Sequence, residues 1–295
     1  MKTALLLPLT GSIALLLSCG PTEVKNNTVA AVDSSLTGVR QQEQERLQKR
    51  QALEKEHLRD SIALDKILQD ALKVAGEHGG SDRFRETLAV WMPDSLYETE
   101  VDVHSDFHFS KEKPHVLIRR STPGAIHIDI YSRENDRYLK VLSHEQWTMT
   151  YVNDTIQDIN GDGLHDLVVN GYGASGCCLK AFSNVYLQRP DHTFSSDFEF
   201  INPTFFVREK LIRGVCYGHP GETELYKYRW QGESLDTLEY VHYEKDKQGT
   251  KTGNVVLTTA PPFGEGYRIL RVLNAVPLEY RKIRGYNWFT GLGYE

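Results

Sequence analysis

The sequence predicts a mainly β fold: an irregular or incomplete β-propeller-like domain of antiparallel hairpins, preceded by a long N-terminal helix. Residues 39–75 contain neither proline nor glycine and are rich in Gln, Glu, Lys, Arg and Leu, which favour a helix. After about residue 83, apolar and branched residues alternate with polar ones, as in half-buried strands. One hairpin pattern recurs over residues 127–142, 184–198 and 224–241. Repeated hairpins build propeller blades and sandwiches, and the unequal spacing of these three favours an irregular arrangement.

The first 18 residues have the features of a secretory signal peptide. Lys2 is followed by an apolar stretch that ends in "LLSC", with the cysteine at position 19. This ending resembles the bacterial lipobox, which implies cleavage before Cys19 and attachment of lipid such as palmitate. The alternative is a plain signal peptide with a coincidental cysteine. No aspartate follows Cys19, so we expect an exported lipoprotein of the cell envelope, held in the outer membrane and facing the periplasm.

Three segments are expected after the signal peptide: a flexible tether at residues 19–35, a helical stalk at 36–76 and a β-rich domain at 77–295. The first half of the stalk is polar nearly all round, whereas its second half carries an apolar stripe. The stripe consists of Leu58, Ile62, Leu68, Leu72 and Ala75. We expect this end of the helix to pack on the domain or on another copy of the chain. The glycine-rich stretch 76–82 then marks the boundary.

Charge and cysteine content narrow the function classes. The formal net charge of −6 is spread along the chain, which argues against a nucleic-acid binder, because such a protein carries a basic face. Beyond Cys19, the sequence has three cysteines, at positions 177, 178 and 216. In an exported protein they predict one disulfide, joining Cys216 to either Cys177 or Cys178, with the third thiol left over.

A short acidic loop, "DINGDGLHD" at residues 158–166, is the strongest functional signal. Its oxygen-bearing side chains stand at positions 1, 3, 5 and 9 of the loop, and they are Asp158, Asn160, Asp162 and Asp166. Gly163 at position 6 permits a sharp turn. Calcium takes roughly six to eight oxygen ligands, and clustered carboxylates repel one another without a cation. The loop therefore predicts a Ca²⁺ site; the alternative is a polar turn that holds no ion.

The loop and the "DLVV" that ends it resemble the calcium loops of FG-GAP and VCBS-type propeller repeats. That resemblance implies a loop that joins two strands of one blade, with the backbone carbonyl of Leu164 as a fifth ligand. The glycine-rich segment and hairpin that follow are similar to exported bacterial lipoproteins, some of which inhibit cell-wall hydrolases. We therefore expect a membrane-anchored, calcium-binding interaction module rather than an enzyme. Its partner would be a protein or a glycan at the cell envelope, and not a nucleic acid.

The alternative is an enzyme that acts on envelope polysaccharide. In "DVHSDFHF", residues Asp102, His104, Asp106 and His108 would share one face of a strand. His104 and Asp106, or the Asp158–Asp166 cluster, would then act as acid/base or metal-binding groups. A solvated strand face produces the same pattern without any such chemistry.

Two later segments carry weaker signals. "HPGE" at residues 219–222 is typical of a turn rather than of a catalytic pair. Residues 280–295 mix aromatic and basic side chains, which is consistent with a closing strand or with a binding surface. Neither a Gly-x-Ser-x-Gly motif nor a phosphate-binding glycine loop occurs in the sequence.

Overall fold

The structure is a computed structural model that describes residues 29–79, 81–92, 97–134 and 137–294. It is mainly β, as the sequence predicts, with three antiparallel sheets and one long N-terminal helix. The expected signal peptide and the lipidation site Cys19 lie outside the described residues. None of the helices within the described ranges combines the length and hydrophobicity that a membrane-spanning segment needs.

Helix α1 runs from Val29 to Glu77, so it begins inside the segment expected to be a tether. The described chain divides into two compact units between Leu58 and Arg59, within α1. In the first unit, every described side chain of α1 is exposed.

In the second unit, the remainder of α1 forms part of the hydrophobic core. Its buried face differs from the predicted stripe, because Leu58 and Ile62 are each 62% exposed. Leu68 and Ala75 of the stripe are buried as predicted, and Leu72 is partly buried against the same cluster. Ala63, Ile67 and Ala71 complete the buried face. They pack on Val101, Val103, Val116 and Ile118 of the first sheet.

The first sheet is a five-stranded antiparallel meander in chain order. Its strands are β1 (Phe84–Trp91), β2 (Glu98–Asp106), β3 (His115–Ser121), β4 (Ala125–Glu134) and β5 (Arg137–Trp147). Arg120 attaches α1 to this sheet: one guanidinium nitrogen donates to the Leu64 carbonyl at 2.8 Å, and another donates to Asp129 at 2.7 Å.

The second sheet has four antiparallel strands, again in chain order. They are β6 (Tyr151–Gln157), β7 (Asp166–Tyr172), β8 (Ala181–Tyr186) and β9 (Phe198–Ile201). The "DLVV" sequence forms the start of β7 and is fully buried, as a strand in the middle of a sheet should be. The acidic loop therefore connects two hydrogen-bonded neighbours, β6 and β7.

The third sheet has six antiparallel strands in chain order. They are β10 (Pro203–Phe206), β11 (Leu211–Val215), β12 (Leu225–Gln231), β13 (Ser234–Lys245), β14 (Lys251–Thr258) and β15 (Ile269–Leu273). All three predicted hairpins are confirmed: β4 pairs with β5, β8 with β9, and β12 with β13.

The C-terminal segment is helical, so the closing strand, one of the two interpretations of residues 280–295, is wrong. Leu278–Lys282 forms a 3₁₀ turn and Tyr286–Thr290 forms the short helix α2. Tyr280, Trp288 and Phe289 are buried against the third sheet. The aromatic run is therefore explained by core packing.

Candidate functional site

The acidic loop is a tight connection across the end of the second sheet. Gln157 at the end of β6 pairs with Asp166 at the start of β7, so the eight residues between them form the whole turn. Gly161 and Gly163 have φ angles of 74° and 91°, in the left-handed region that favours glycine. The two glycines are thus what lets so short a loop reverse the chain.

Hydrogen bonds from the backbone hold the loop carboxylates in place. The two oxygens of Asp158 accept the N–H groups of Gly161 and Gly163 at 2.6 and 3.0 Å. Asp162 accepts the N–H of Leu164 at 2.8 Å and the side-chain amide of Asn160 at 2.9 Å. The side chains therefore point inwards over the turn.

Asp166 is the most buried of these residues, with no solvent exposure. One of its oxygens accepts the N–H of Ile159 at 2.9 Å, and the other accepts the N–H of Gln188 at 2.8 Å. Burial, helped by the charges of Asp162 and Asp158, raises the pKa of the Asp166 carboxyl to about 7, against the lowering effect of the two N–H groups.

The other buried acidic residues of the described chain have basic partners, whereas Asp166 has none. Asp129, which is equally buried, is paired with Arg120 at 2.7 Å. Glu239 is paired with Lys227, and Asp102 with two arginines. None of the ion pairs among the described residues involves a carboxylate of the acidic loop. The loop therefore concentrates negative charge that the rest of the described chain does not neutralise.

The donor set of the loop fits calcium. Each oxygen of Asp158, Asp162 and Asp166 accepts one hydrogen bond, and an ionised carboxylate oxygen has a second lone pair free for a cation. All the donors are oxygens, as a hard cation requires. The three carboxylates are more widely spread than in a closed cage, because among the described residues they do not all come within 4.8 Å of one another. Binding of an ion would draw them together.

The loop touches segments that belong to the other two sheets. The Nδ1 atom of His165 lies 2.9 Å from the carbonyl oxygen of His108, just after β2. On the other side, a Cβ atom at Gly161 would lie 2.9 Å from the carbonyl oxygen of Val207 and close to the side chain of Lys210, both between β10 and β11. The conformation of this loop therefore affects its contacts with segments next to β2 and β10, in the other two sheets.

The histidine-rich strand is less available than the sequence suggested. β2 ends at Asp106, so His108 lies beyond the strand, although its ring still meets that of His104 with centroids 4.4 Å apart. Asp106 is bound by Arg83 at 2.9 Å and also accepts the N–H of Phe107. Burial lowers the pKa of His108 to about 4. The carboxylates of Asp102 and Asp106 are therefore engaged by basic and backbone groups.

The expected disulfide is absent, since Cys177, Cys178 and Cys216 are all free. The physical reason lies in core packing. Cys178 belongs to a cluster with Tyr280 and Trp288, whereas Cys216 packs in a different cluster. Burial raises the pKa of the Cys216 thiol to about 12, so it is protonated at neutral pH.

Sequence reasoning missed a contact between Cys177, Cys178 and His219. Within the described residues, this is the group of three His, Cys, Asp or Glu side chains whose ligand atoms lie within 4.8 Å of one another. The sequence predicted a disulfide for the cysteines and a turn for "HPGE", but no sequence motif predicted that the two segments are in contact.

Comparisons with known proteins leave the site to be interpreted from its own residues. The chain matched no protein-family model, no curated protein and no solved structure. The carboxylates of the acidic loop, Asp166 above all, are therefore the observation on which an account of function rests.

Proposed function

We propose that the protein is a membrane-anchored, calcium-binding lipoprotein of the bacterial cell envelope whose body is a binding module rather than an enzyme. The observation that carries the calcium site is Asp166, a fully buried carboxylate with no basic partner among the described residues and two further carboxylates nearby. A divalent cation bound in the loop would supply the missing positive charge.

In this proposal, Asp158, Asn160, Asp162 and Asp166 hold the ion through their side-chain oxygens, and Leu164 holds it through its carbonyl. The bound ion supplies charge neutralisation, and its role is structural. The contacts of the loop with His108 and Val207 support that role, because fixing the loop also fixes segments that follow strands of the other two sheets.

We also propose that the three sheets form an irregular, propeller-like arrangement. Each sheet is an antiparallel meander in chain order, as a propeller blade is. The acidic loop joins two neighbouring strands of the four-stranded sheet, which is where the resemblance to FG-GAP repeats puts a calcium loop.

The partner in this proposal is an envelope protein, with a cell-wall hydrolase as the form suggested by similar lipoproteins. β15 is an edge strand of the third sheet, and it exposes Ile269, Leu270 and Val272 by about half each. Phe263, in the loop before it, is fully exposed. An apolar edge with unpaired backbone groups suits an extended protein segment better than a glycan.

The test is unfolding of residues 20–295 by heat and denaturant, with calcium and with chelator. Calcium at one hundred times its dissociation constant should raise the free energy of unfolding by about 2.7 kcal/mol. The double variant Asp158→Ala, Asp162→Ala should lose this increase. If the free energy of unfolding is the same with calcium and with chelator, the proposed site is wrong.

Asp246→Ala is the matched control. Asp246 accepts the N–H groups of Gln248 and Thr250 at 2.9 Å, so it supports a polar turn of the same kind outside the acidic loop. Its variant should lose some stability yet keep the response to calcium. The enzymatic alternative predicts instead that His104→Ala and Asp106→Ala fold normally and abolish polysaccharide turnover.

A further inference from the structure

Two loops from different sheets bring three metal-binding side chains together. Cys177 and Cys178 lie between β7 and β8, and His219 lies between β11 and β12. The Sγ atoms of the two cysteines are 2.8 Å apart, and the Sγ of Cys177 is 3.8 Å from the Nδ1 of His219. These atoms lie within 4.8 Å of one another, close enough for a single ion to reach all of them.

Both loops are closed at their bases by hydrogen bonds. The N–H of Gly173 donates to the Lys180 carbonyl at 2.8 Å, which closes the cysteine loop. The N–H of Cys216 donates to the Glu224 carbonyl at 2.8 Å, which closes the histidine loop. Binding of an ion would therefore not have to order two free segments.

The C-terminal helix fixes the histidine loop further. The indole N–H of Trp288 donates to the Gly218 carbonyl at 2.8 Å, and the Trp288 carbonyl accepts the N–H of Gly221 at the same distance. His219 thus lies between two residues that are bound to one buried tryptophan.

The cluster combines a fixed ligand with accessible ones. Cys178 is buried in the core beside the third sheet, whereas Cys177 and His219 are exposed. An ion can enter from solvent and keep one coordination position open to water. Tyr217 interacts with Cys178. The ammonium of Lys180 lies 5.7 Å from the centre of the Tyr217 ring.

We propose that Cys177, Cys178 and His219 form a binding site for a thiophilic metal ion, namely Zn²⁺. Two thiolates and one imidazole with an open fourth position match a known zinc coordination pattern, and sulfur ligands disfavour calcium and magnesium. The proposal is independent of the calcium loop, which has oxygen donors alone.

Binding requires one small rearrangement and the loss of two protons. Two Zn–S bonds of about 2.3 Å at a tetrahedral angle set the sulfurs roughly 3.8 Å apart, which is wider than they are here. Rotation of the exposed Cys177 side chain supplies this separation. Each thiol gives up its proton as its sulfur binds the ion, so the affinity falls as the pH is lowered.

Cobalt titration of the reduced protein tests the site. Reduction opens any bond between the two cysteines before the metal is added. Co²⁺ should produce thiolate-to-metal charge-transfer absorption in the near ultraviolet, and Zn²⁺ should abolish it by displacement. Absence of this absorption in the reduced protein would overturn the proposal.

Variants assign the ligands. Cys177→Ser and His219→Ala alter exposed positions, so both variants should fold normally. Each removes a direct ligand, so its affinity for Co²⁺ should fall by more than the roughly 10–100-fold seen when a residue that only contacts a ligand is removed. Cys216→Ser and His57→Ala are the matched controls, one a thiol in another cluster and one an exposed histidine of α1. Unchanged affinity in Cys177→Ser or His219→Ala would also overturn the site. The Asp158→Ala, Asp162→Ala variant should bind cobalt as the wild type does.

Discussion

The carboxylate of Asp166 accepts the backbone N–H of Gln188 at 2.8 Å, which ties the end of the acidic loop to the chain just after β8. Its second oxygen accepts the N–H of Ile159, at the start of the same loop. A single buried side chain therefore fixes both the path of the loop and its position on the neighbouring strand. The charge of that side chain is the quantity that calcium and protons would compete to neutralise.

Asp166 should make stability fall as the pH rises when calcium is absent. Its pKa is about 7 in the folded protein and about 3.9 in an unfolded chain. Between these values the folded state keeps a proton that the unfolded state has released, so the free energy of unfolding decreases by up to roughly 4 kcal/mol from pH 4 to pH 7. Denaturant titrations across this range, in chelator, measure the change.

The comparison with Asp166→Asn isolates this residue from the other titrating groups. The amide is neutral at every pH, so the variant should lack the decrease, although it forfeits one of the two N–H contacts. Saturating calcium should also remove the decrease in the wild type, because the ion takes the place of the proton. Parallel pH profiles of wild type and variant in chelator would contradict the prediction.

Local patterns predicted the hairpins and the position of the acidic loop, because both depend on residues close together in the chain. The buried face of α1 was predicted only in part, since Leu68 and Ala75 are buried as expected. Periodicity selected Leu58 and Ile62, which are exposed, because the sequence does not say where along the helix the first sheet ends. The contact of Cys177 with His219 depends on where two separate loops are placed, and no spacing reports that.

Ile67 and Ile62 provide a matched test of how α1 packs. Ile67 is 5% exposed and lies against the first sheet, whereas Ile62 is 62% exposed. Ile67→Ala should lower the free energy of unfolding by about 2–5 kcal/mol, because it removes a buried side chain and leaves a cavity. Ile62→Ala should change it by less than about 0.5 kcal/mol. Equal effects in urea denaturation would mean that this part of α1 does not belong to the domain core.

Asp129 should be essential to the stability of the first sheet. It is fully buried and accepts contacts from Arg120 at 2.7 Å and Lys140 at 2.9 Å. Asp129→Ala leaves the buried guanidinium of Arg120 without its counter-ion, which should cost about 3–5 kcal/mol. Chemical denaturation measures this loss.

The control is an ion pair at the surface of α1. Asp70 and Lys73 lie 2.7 Å apart, and both side chains are at least half exposed. Solvent screens such a pair, so Asp70→Ala should leave the denaturation midpoint unchanged. A wild-type midpoint in Asp129→Ala would show that the buried pair contributes nothing.

His115 should oppose Asp166 by making stability fall as the pH is lowered. The ring is fully buried at the start of β3, and burial together with the nearby His192 lowers its pKa to about 4. An unfolded histidine has a pKa near 6.5, so above that pH the buried neutral ring of His115 makes its full contribution to the free energy of unfolding. Below pH 6.5, the unfolded state takes up a proton that the folded state does not bind, so the free energy of unfolding falls by up to roughly 3 kcal/mol by pH 4.

His115→Gln should flatten this part of the pH profile of stability relative to wild type, whereas His57→Gln, at an exposed position of α1, should not. If all three proteins lose the same stability between pH 6.5 and pH 4, the buried ring of His115 is not the group responsible.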